Sequence, residues 1–109
     1  ELYPQFVDRA RRAGVRIPIV PGVLPPVSAK RLARVGELTG VQAPEPLLQQ
    51  LQSAKDETAE GIAAGAELAR ALVDAGAPGI HIYTFNKSEP ALRLLAGAGL
   101  LEAPYRKVA

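Results

Sequence analysis

The residue whose type most directly suggests chemistry is His81, the only histidine in the chain. An imidazole titrates near neutral pH, so it can act as a general acid or base. His81 alternates with Ile80 and Ile82 in an apolar run, which predicts that it shares one face of a strand with Tyr83. Because it comes early in that run, away from the carboxyl end, we interpret it as a hydrogen-bonded structural histidine.

Basic side chains form a second group of candidates. Lys87 follows the same run directly, where a cation could bind an anionic ligand or simply flank the start of a helix. Arg31 has two further basic residues close by, which favours a solvated helix face. The basic cluster at 9–12 lacks interleaved aromatic residues, so we also interpret it as a solvated face and expect no nucleic-acid partner.

Composition excludes several classes of site. The chain has 109 residues, enough for one domain, and a formal charge of +2. The absence of cysteine excludes a disulfide scaffold and a thiol nucleophile, and a single histidine excludes a multi-histidine zinc site within the chain. We expect no membrane span and no export signal, and therefore a cytoplasmic protein. The chain contains no methionine and starts at Glu1, so it is expected to be a piece of a longer protein or a processed product.

The elements that must position these residues alternate along the chain. Apolar spacing predicts helices at about 2–13, 28–38, 46–51, 57–75 and 88–97, and β-branched runs predict strands at 17–20 and 79–86. Ser28 and Asp56 are suitable N-caps, and Gly40 is a suitable C-terminal stop. Asn86 or Ser88 is expected to cap the last helix. The tail at 102–109 is expected to be loose.

The predicted strands are apolar on both faces. Alternating strands and helices indicate a parallel α/β sheet, and parallel strands are normally covered on both sides. Two strands do not make such a sheet, so they require neighbours that the chain does not contain. The sequence therefore predicts either an oligomer or part of a larger α/β domain. Gly61 and Gly65, four residues apart on the longest helix, are interpreted as a close packing contact of this helix on the sheet.

Three segments carry a family resemblance: FVDRARRAG at 6–14, IPIVPGVLP at 17–25 and GIHIYTFNKS at 79–88. Together they resemble the C-terminal third of methylenetetrahydrofolate reductase, and the resemblance extends from Glu1 to about Leu101. It implies that residues 1–109 are the C-terminal segment of a single (β/α)8 TIM barrel domain, with two parallel strands and flanking helices. The first six strands would then belong to the remainder of the barrel, in the same chain or a separate one.

The resemblance also implies an activity. The family reduces 5,10-methylenetetrahydrofolate to 5-methyltetrahydrofolate with NAD(P)H, and FAD carries the hydride; this is one-carbon metabolism that serves methionine biosynthesis. The flavin-binding residues are expected on the six absent strands, so this chain alone should be inactive. Two alternatives stay open: a non-catalytic binding or scaffolding fragment that associates with a partner chain, and a different α/β barrel enzyme with similar strand ends.

Two folate contacts of the family map onto the chain. The basic residue after strand 8 corresponds to Lys87, where arginine is commonest, and a glutamine early in helix 7 corresponds to Arg31. The resemblance thus implies that Lys87 and Arg31 bind the folate substrate. Two aromatic positions of the family are replaced, one by Ala29 and one by Val35, so the folate-facing side of this helix departs from the pattern.

Overall fold

The computed structural model describes residues 2–101, and the tail expected at 102–109 lies outside the described residues. Five helices and two strands follow one another: α1 (Leu2–Arg12), β1 (Gly22–Val23), α2 (Ala29–Thr39), α3 (Glu45–Ser53), α4 (Glu57–Asp74), β2 (His81–Ile82) and α5 (Ser88–Gly97). This order confirms an α/β fragment. The closed barrel, and the assignment of residues 1–109 to one barrel domain, stay predictions.

The two strands form a parallel pair. Gly22 lies opposite His81 and Val23 lies opposite Ile82, and the Tyr83 N–H donates to the Val23 carbonyl at 3.2 Å. Parallel neighbours require a long crossover, which α2, α3 and α4 supply here. The carboxyl ends of both strands therefore lie at the same edge of the sheet.

The first strand was predicted at the wrong residues. The expected run was 17–20, but pairing begins only at Gly22, where the His81 N–H donates to the Pro21 carbonyl at 3.0 Å. Pro21 therefore faces β2. Because a proline has no N–H to donate, the ladder does not continue through Pro21 toward residues 17–20.

The second strand is shorter than predicted. The apolar run 79–86 suggested a strand throughout, but pairing covers only His81–Ile82. One cause is the short partner, because a strand exists only where it has a ladder neighbour. The other is the backbone of Phe85 and Asn86, whose φ angles of 49° and 62° leave the extended region and form a turn.

Helix ends follow the predicted capping residues in α2 and α4. The Ser28 hydroxyl accepts a hydrogen bond from the Arg31 N–H at 3.3 Å, and the Asp56 carboxylate accepts one from the Ala59 N–H at 3.0 Å. Gly40 ends α2 with a φ of 75°, which glycine adopts without steric cost. These residues fix where the two helices begin and where α2 ends.

The predicted cap of α5 is wrong. The residue at the cap position is Lys87, and its side chain makes no capping hydrogen bond. Asn86 is committed to the preceding left-handed turn, and Ser88 is already the first helical residue. The helix therefore starts directly from the turn that follows β2.

The core lies on the helix-covered side of the strand pair. It consists of small and medium apolar residues from β1, α4, α5 and the residue that follows α5: Val23, Ile62, Ala66, Ala69, Leu94 and Ala98. Ile80 and Ile82 are partly buried against it, while His81 and Tyr83 project to the opposite side. As predicted, the His81 and Tyr83 rings share a face, with centroids 4.9 Å apart in an edge-on arrangement.

Large apolar side chains on the rest of the fragment are exposed. Tyr83 and Phe85 are 50% and 68% exposed, and Ile17 is 69% exposed. No residue of α1 is buried; the helix is held to the following segment by a hydrogen bond from the Tyr3 hydroxyl to the Ile19 carbonyl at 2.9 Å. An apolar surface of this kind requires a covering partner.

We expect the isolated 109-residue chain to be insoluble, oligomeric or molten, because its strand pair has open edges and one bare face. Size-exclusion chromatography across a dilution series, combined with near-ultraviolet circular dichroism on heating, measures this. A dilute monomer with a sharp, cooperative thermal transition would contradict the expectation.

Candidate functional site

A cavity of about 350 Å³ opens at the carboxyl ends of the two strands. Three segments enclose it: the loop after β1, the first half of α2 and the turn after β2. We call it the strand-end cavity, and the residues that line it are Leu24, Pro25, Pro26, Val27, Ser28, Arg31, Leu32, Arg34, Val35, Phe85 and Lys87. Its walls are mostly apolar. The charged residues among those that line it are all basic: Arg31, Arg34 and Lys87.

The two predicted substrate contacts meet in this cavity. Lys87 reaches it from the turn after β2, and Arg31 reaches it from the first turn of α2. They are far apart in sequence but come together because the parallel pairing of β1 and β2 places both strand ends at one edge. Their role as folate contacts stays a prediction.

Sequence reasoning missed a third cation in the cavity lining, Arg34. Its guanidinium donates to the Glu37 carboxylate at 3.0 Å, an exposed pair one turn along α2. The three-residue spacing from Arg31 places both side chains on one side of the helix, and this signal could have found it. Two residues of this chain stand where the family has an aromatic residue. Val35 lines the cavity, whereas Ala29 is buried and does not line it.

The turn after β2 has an unusual backbone. The Lys87 N–H donates to the Thr84 carbonyl at 2.9 Å, and both central residues, Phe85 and Asn86, have positive φ. This is the φ pattern of a type I′ turn, which normally selects glycine, asparagine or aspartate. Asn86 suits it, but Phe85 does not, since a bulky side chain at positive φ is strained. The turn directs Phe85 and Lys87 toward the cavity.

The first turn of α4 holds the loop that forms the cavity wall. The Glu57 carboxylate accepts a hydrogen bond from the Ala29 N–H at 2.5 Å, and the Thr58 hydroxyl donates to the Val27 carbonyl at 3.5 Å. One turn further, a Cβ on Gly61 would overlap the Pro26 carbonyl. Close packing is confirmed at Gly61 and also at Gly65, where a Cβ would overlap the Leu94 side chain of α5. The predicted partner is wrong, because these glycines pack on the loop after β1 and on α5 and not on the sheet.

The arrangement suits binding of an anionic, partly apolar ligand. His81 is exposed and does not line the strand-end cavity. Its ring contacts Tyr83, but within residues 2–101 its side chain makes no hydrogen bond, so the hydrogen-bonded structural role stays a prediction. Within residues 2–101, no group of three metal-ligating side chains comes together. The resolved pKa shifts lie away from the cavity: the hydrogen bond from Arg70 lowers the pKa of the exposed Asp74 carboxyl, and the same bond raises the pKa of Arg70.

Among residues 2–101, no helix is both long enough and apolar enough to cross a lipid bilayer.

The described residues form a parallel α/β fragment with a cavity at the carboxyl ends of its strands. The profile of the family described as "Methylenetetrahydrofolate reductase" matches residues 1–99. The chain belongs to the methylenetetrahydrofolate reductase family.

Relatives from distant organisms support this membership. The chain is 30% identical over 106 residues to a "Probable methylenetetrahydrofolate reductase (NADH)" of Oryza sativa, covering 94% of the chain and 18% of the relative. It is 31% identical to a "Probable methylenetetrahydrofolate reductase (NADPH)" of Caenorhabditis elegans, covering 92% and 16%. It is 30% identical to "5,10-methylenetetrahydrofolate reductase" of Escherichia coli, covering 82% and 31%. The chain thus spans less than a third of each relative's length.

Replacing Gly61 with alanine should destabilise the complete protein and disturb the cavity wall. The added methyl meets backbone and not a flexible side chain, so the loop must move. Overpacking of this kind typically costs about 1–3 kcal/mol, which exceeds the gain of about 1 kcal/mol from alanine in a helix. Thermal unfolding of the complete protein measures the change.

Gly79→Ala is the matched control, because nothing lies within 4 Å of a Cβ there and its φ is not positive. We expect it to leave the midpoint temperature almost unchanged. Equal stability of the Gly61→Ala protein would show that the loop adapts freely and that α4 does not position it.

Proposed function

We propose that the chain is part of an enzyme that reduces 5,10-methylenetetrahydrofolate to 5-methyltetrahydrofolate with NAD(P)H. Family membership and the names of the relatives support the reaction class. The observation that carries the proposal is the convergence of Lys87 and Arg31 on one cavity at the carboxyl ends of parallel strands. The relatives' names include both NADH and NADPH, so the proposal covers either nucleotide.

The remainder of the barrel is the first proposed partner. β1 and β2 each have an unpaired edge among the described residues, and the face that carries His81 and Tyr83 is bare. Six further parallel strands, from the same chain or a separate one, would pair with these edges and cover this face. In such barrels the active site lies at the carboxyl ends of the strands, which is where the strand-end cavity opens.

Lys87 and Arg31 would bind the substrate through its carboxylates. A folate ends in a glutamate with two carboxylate groups, and cations at the cavity mouth can donate charge-assisted hydrogen bonds to them. The apolar residues behind them, such as Leu32 and Val35, would contact the uncharged part of the molecule. In this proposal the chain's own residues bind and orient the folate.

We propose binding of FAD only for the complete protein. The described residues supply cations and apolar walls at the strand-end cavity. These groups suit a ligand with carboxylates, and we do not assign them to the isoalloxazine ring of a flavin. In this proposal the residues that hold FAD lie on the six strands that this chain does not contain. The cytoplasmic location likewise stays a prediction.

The complete protein should bind FAD and be yellow, and its visible absorption should bleach when NAD(P)H is added under anaerobic conditions. A bound flavin would supply the hydride-transfer chemistry that the protein only orients. Absorption spectroscopy of the purified protein tests this. A colourless protein that still reduces the folate would refute the cofactor and leave the reaction standing.

In the complete enzyme, Lys87→Ala should raise the KM for the folate about tenfold. A hydrogen bond to a charged group contributes roughly 1.5–3 kcal/mol to binding, and exposure to solvent reduces this contribution toward the lower end. A tenfold change in KM corresponds to about 1.4 kcal/mol. Reduction of bound flavin by NAD(P)H should be almost unchanged, since that half-reaction does not involve the folate. Lys87→Arg should be tolerated. Stopped-flow measurement of each half-reaction separates these effects.

Lys30→Ala provides the control, because Lys30 is an exposed cation on α2 that does not line the cavity. It should change neither half-reaction. Equal losses in both half-reactions of Lys87→Ala would mean that Lys87 supports the fold, and an unchanged folate half-reaction would show that it is only a surface charge.

A further inference from the structure

We propose that Phe85 is a specificity-determining residue, and that its ring is the surface on which a planar aromatic part of the ligand stacks. The inference rests on the proposed function and deepens it. Among the described residues that line the strand-end cavity, Phe85 is the only aromatic one. It also lines a smaller adjoining cavity of about 40 Å³, together with Arg31 and Lys87.

The mixed lining of the cavity is the first argument. From α2 it is lined by Leu32 and Val35, which offer no flat surface. Phe85 lines the same cavity from a different segment, the turn after β2. A flat ligand ring in this cavity would therefore have both aliphatic groups and the Phe85 ring available to contact.

The backbone of the turn is the second argument. Phe85 has a φ of 49°, a conformation that glycine adopts freely and a bulky residue adopts at a cost. Its side chain is 68% exposed, so burial within the described part of the chain does not repay that cost. Strained residues of this kind are concentrated at ligand sites. Burial of the exposed Phe85 ring under a bound ligand would offset the cost of its strained backbone.

The charges on either side of the ring define the ligand class. Lys87 lies two residues from Phe85, and Arg31 lines both cavities with it. A ligand that satisfies all three groups carries a planar aromatic ring joined to a short dicarboxylate. The p-aminobenzoyl-glutamate part of a folate has this chemistry, and it lies apart from the pterin that undergoes reduction.

Binding of two small probes to the complete protein tests the proposal. The probes are p-aminobenzoylglutamate and N-hexanoylglutamate, which share the dicarboxylate but differ in the ring, and calorimetry gives the dissociation constant of each. The wild-type protein should prefer the aromatic probe. Phe85→Leu should weaken binding of that probe about fivefold and leave the aliphatic probe almost unchanged. Phe85→Tyr should keep the preference, and Lys87→Ala should weaken binding of both probes.

Phe85→Gly separates a ligand contact from a structural one. Because glycine relieves the positive φ, this variant should unfold at the same or a higher temperature than the wild type while it loses the preference for the aromatic probe. A marked fall in its midpoint temperature would show that the ring packs within the complete protein, and would overturn the proposal. Retention of the preference by Phe85→Leu would overturn it as well.

These outcomes are independent of the proposed reaction. A wild-type protein without reductase activity would refute the proposed function, whereas the probe preference is measured by binding alone. An active enzyme in which Phe85→Leu binds both probes as the wild type does would refute only the role of Phe85.

Discussion

The contact between the first turn of α4 and the segment after β1 determines where most of the strand-end cavity lies. Glu57, the first residue of α4, accepts a hydrogen bond from the N–H of Ala29, the first residue of α2. Helix N-termini carry a partial positive charge, so one carboxylate here serves two helix starts. A short distance along α4, the bare backbone of Gly61 lets the Pro26 carbonyl approach. The loop therefore rests on α4, and α2 with Arg31 is oriented from the same point.

The sequence was informative where local chemistry decides structure. Ser28, Asp56 and Gly40 each supply a group that an adjacent helix end requires, and their roles depend on residues three or four positions away. The placement of Lys87 beyond the carboxyl end of β2 was predictable for a similar reason, because an apolar run followed by polar residues marks the end of a buried strand. Family resemblance then added which strand end faces the substrate in related proteins.

Other features depend on contacts that no local pattern reports. The Glu57–Ala29 hydrogen bond joins residues 28 positions apart. The strand at 17–20 was misplaced because residue type suggested a strand, whereas the direction in which Pro21 points decided the ladder. The turn at Phe85 has no sequence signature, since a phenylalanine at positive φ contradicts the usual preference. For that reason the ring that completes the cavity became visible only in the structure.

The two prolines of the loop after β1, Pro25 and Pro26, affect the entropy of ligand binding. Each proline fixes its own φ near −65° in the unfolded chain as well as in the folded one, so folding loses less backbone freedom at these positions. Pro25 and Pro26 form part of the cavity wall, next to the short turn in which the Val27 N–H donates to the Pro25 carbonyl at 2.9 Å. A ligand that binds there meets a wall whose shape is already set. For the proposed folate ligand, the remaining ordering would fall mainly on the long side chains of Lys87 and Arg31, and the preorganised backbone would favour affinity.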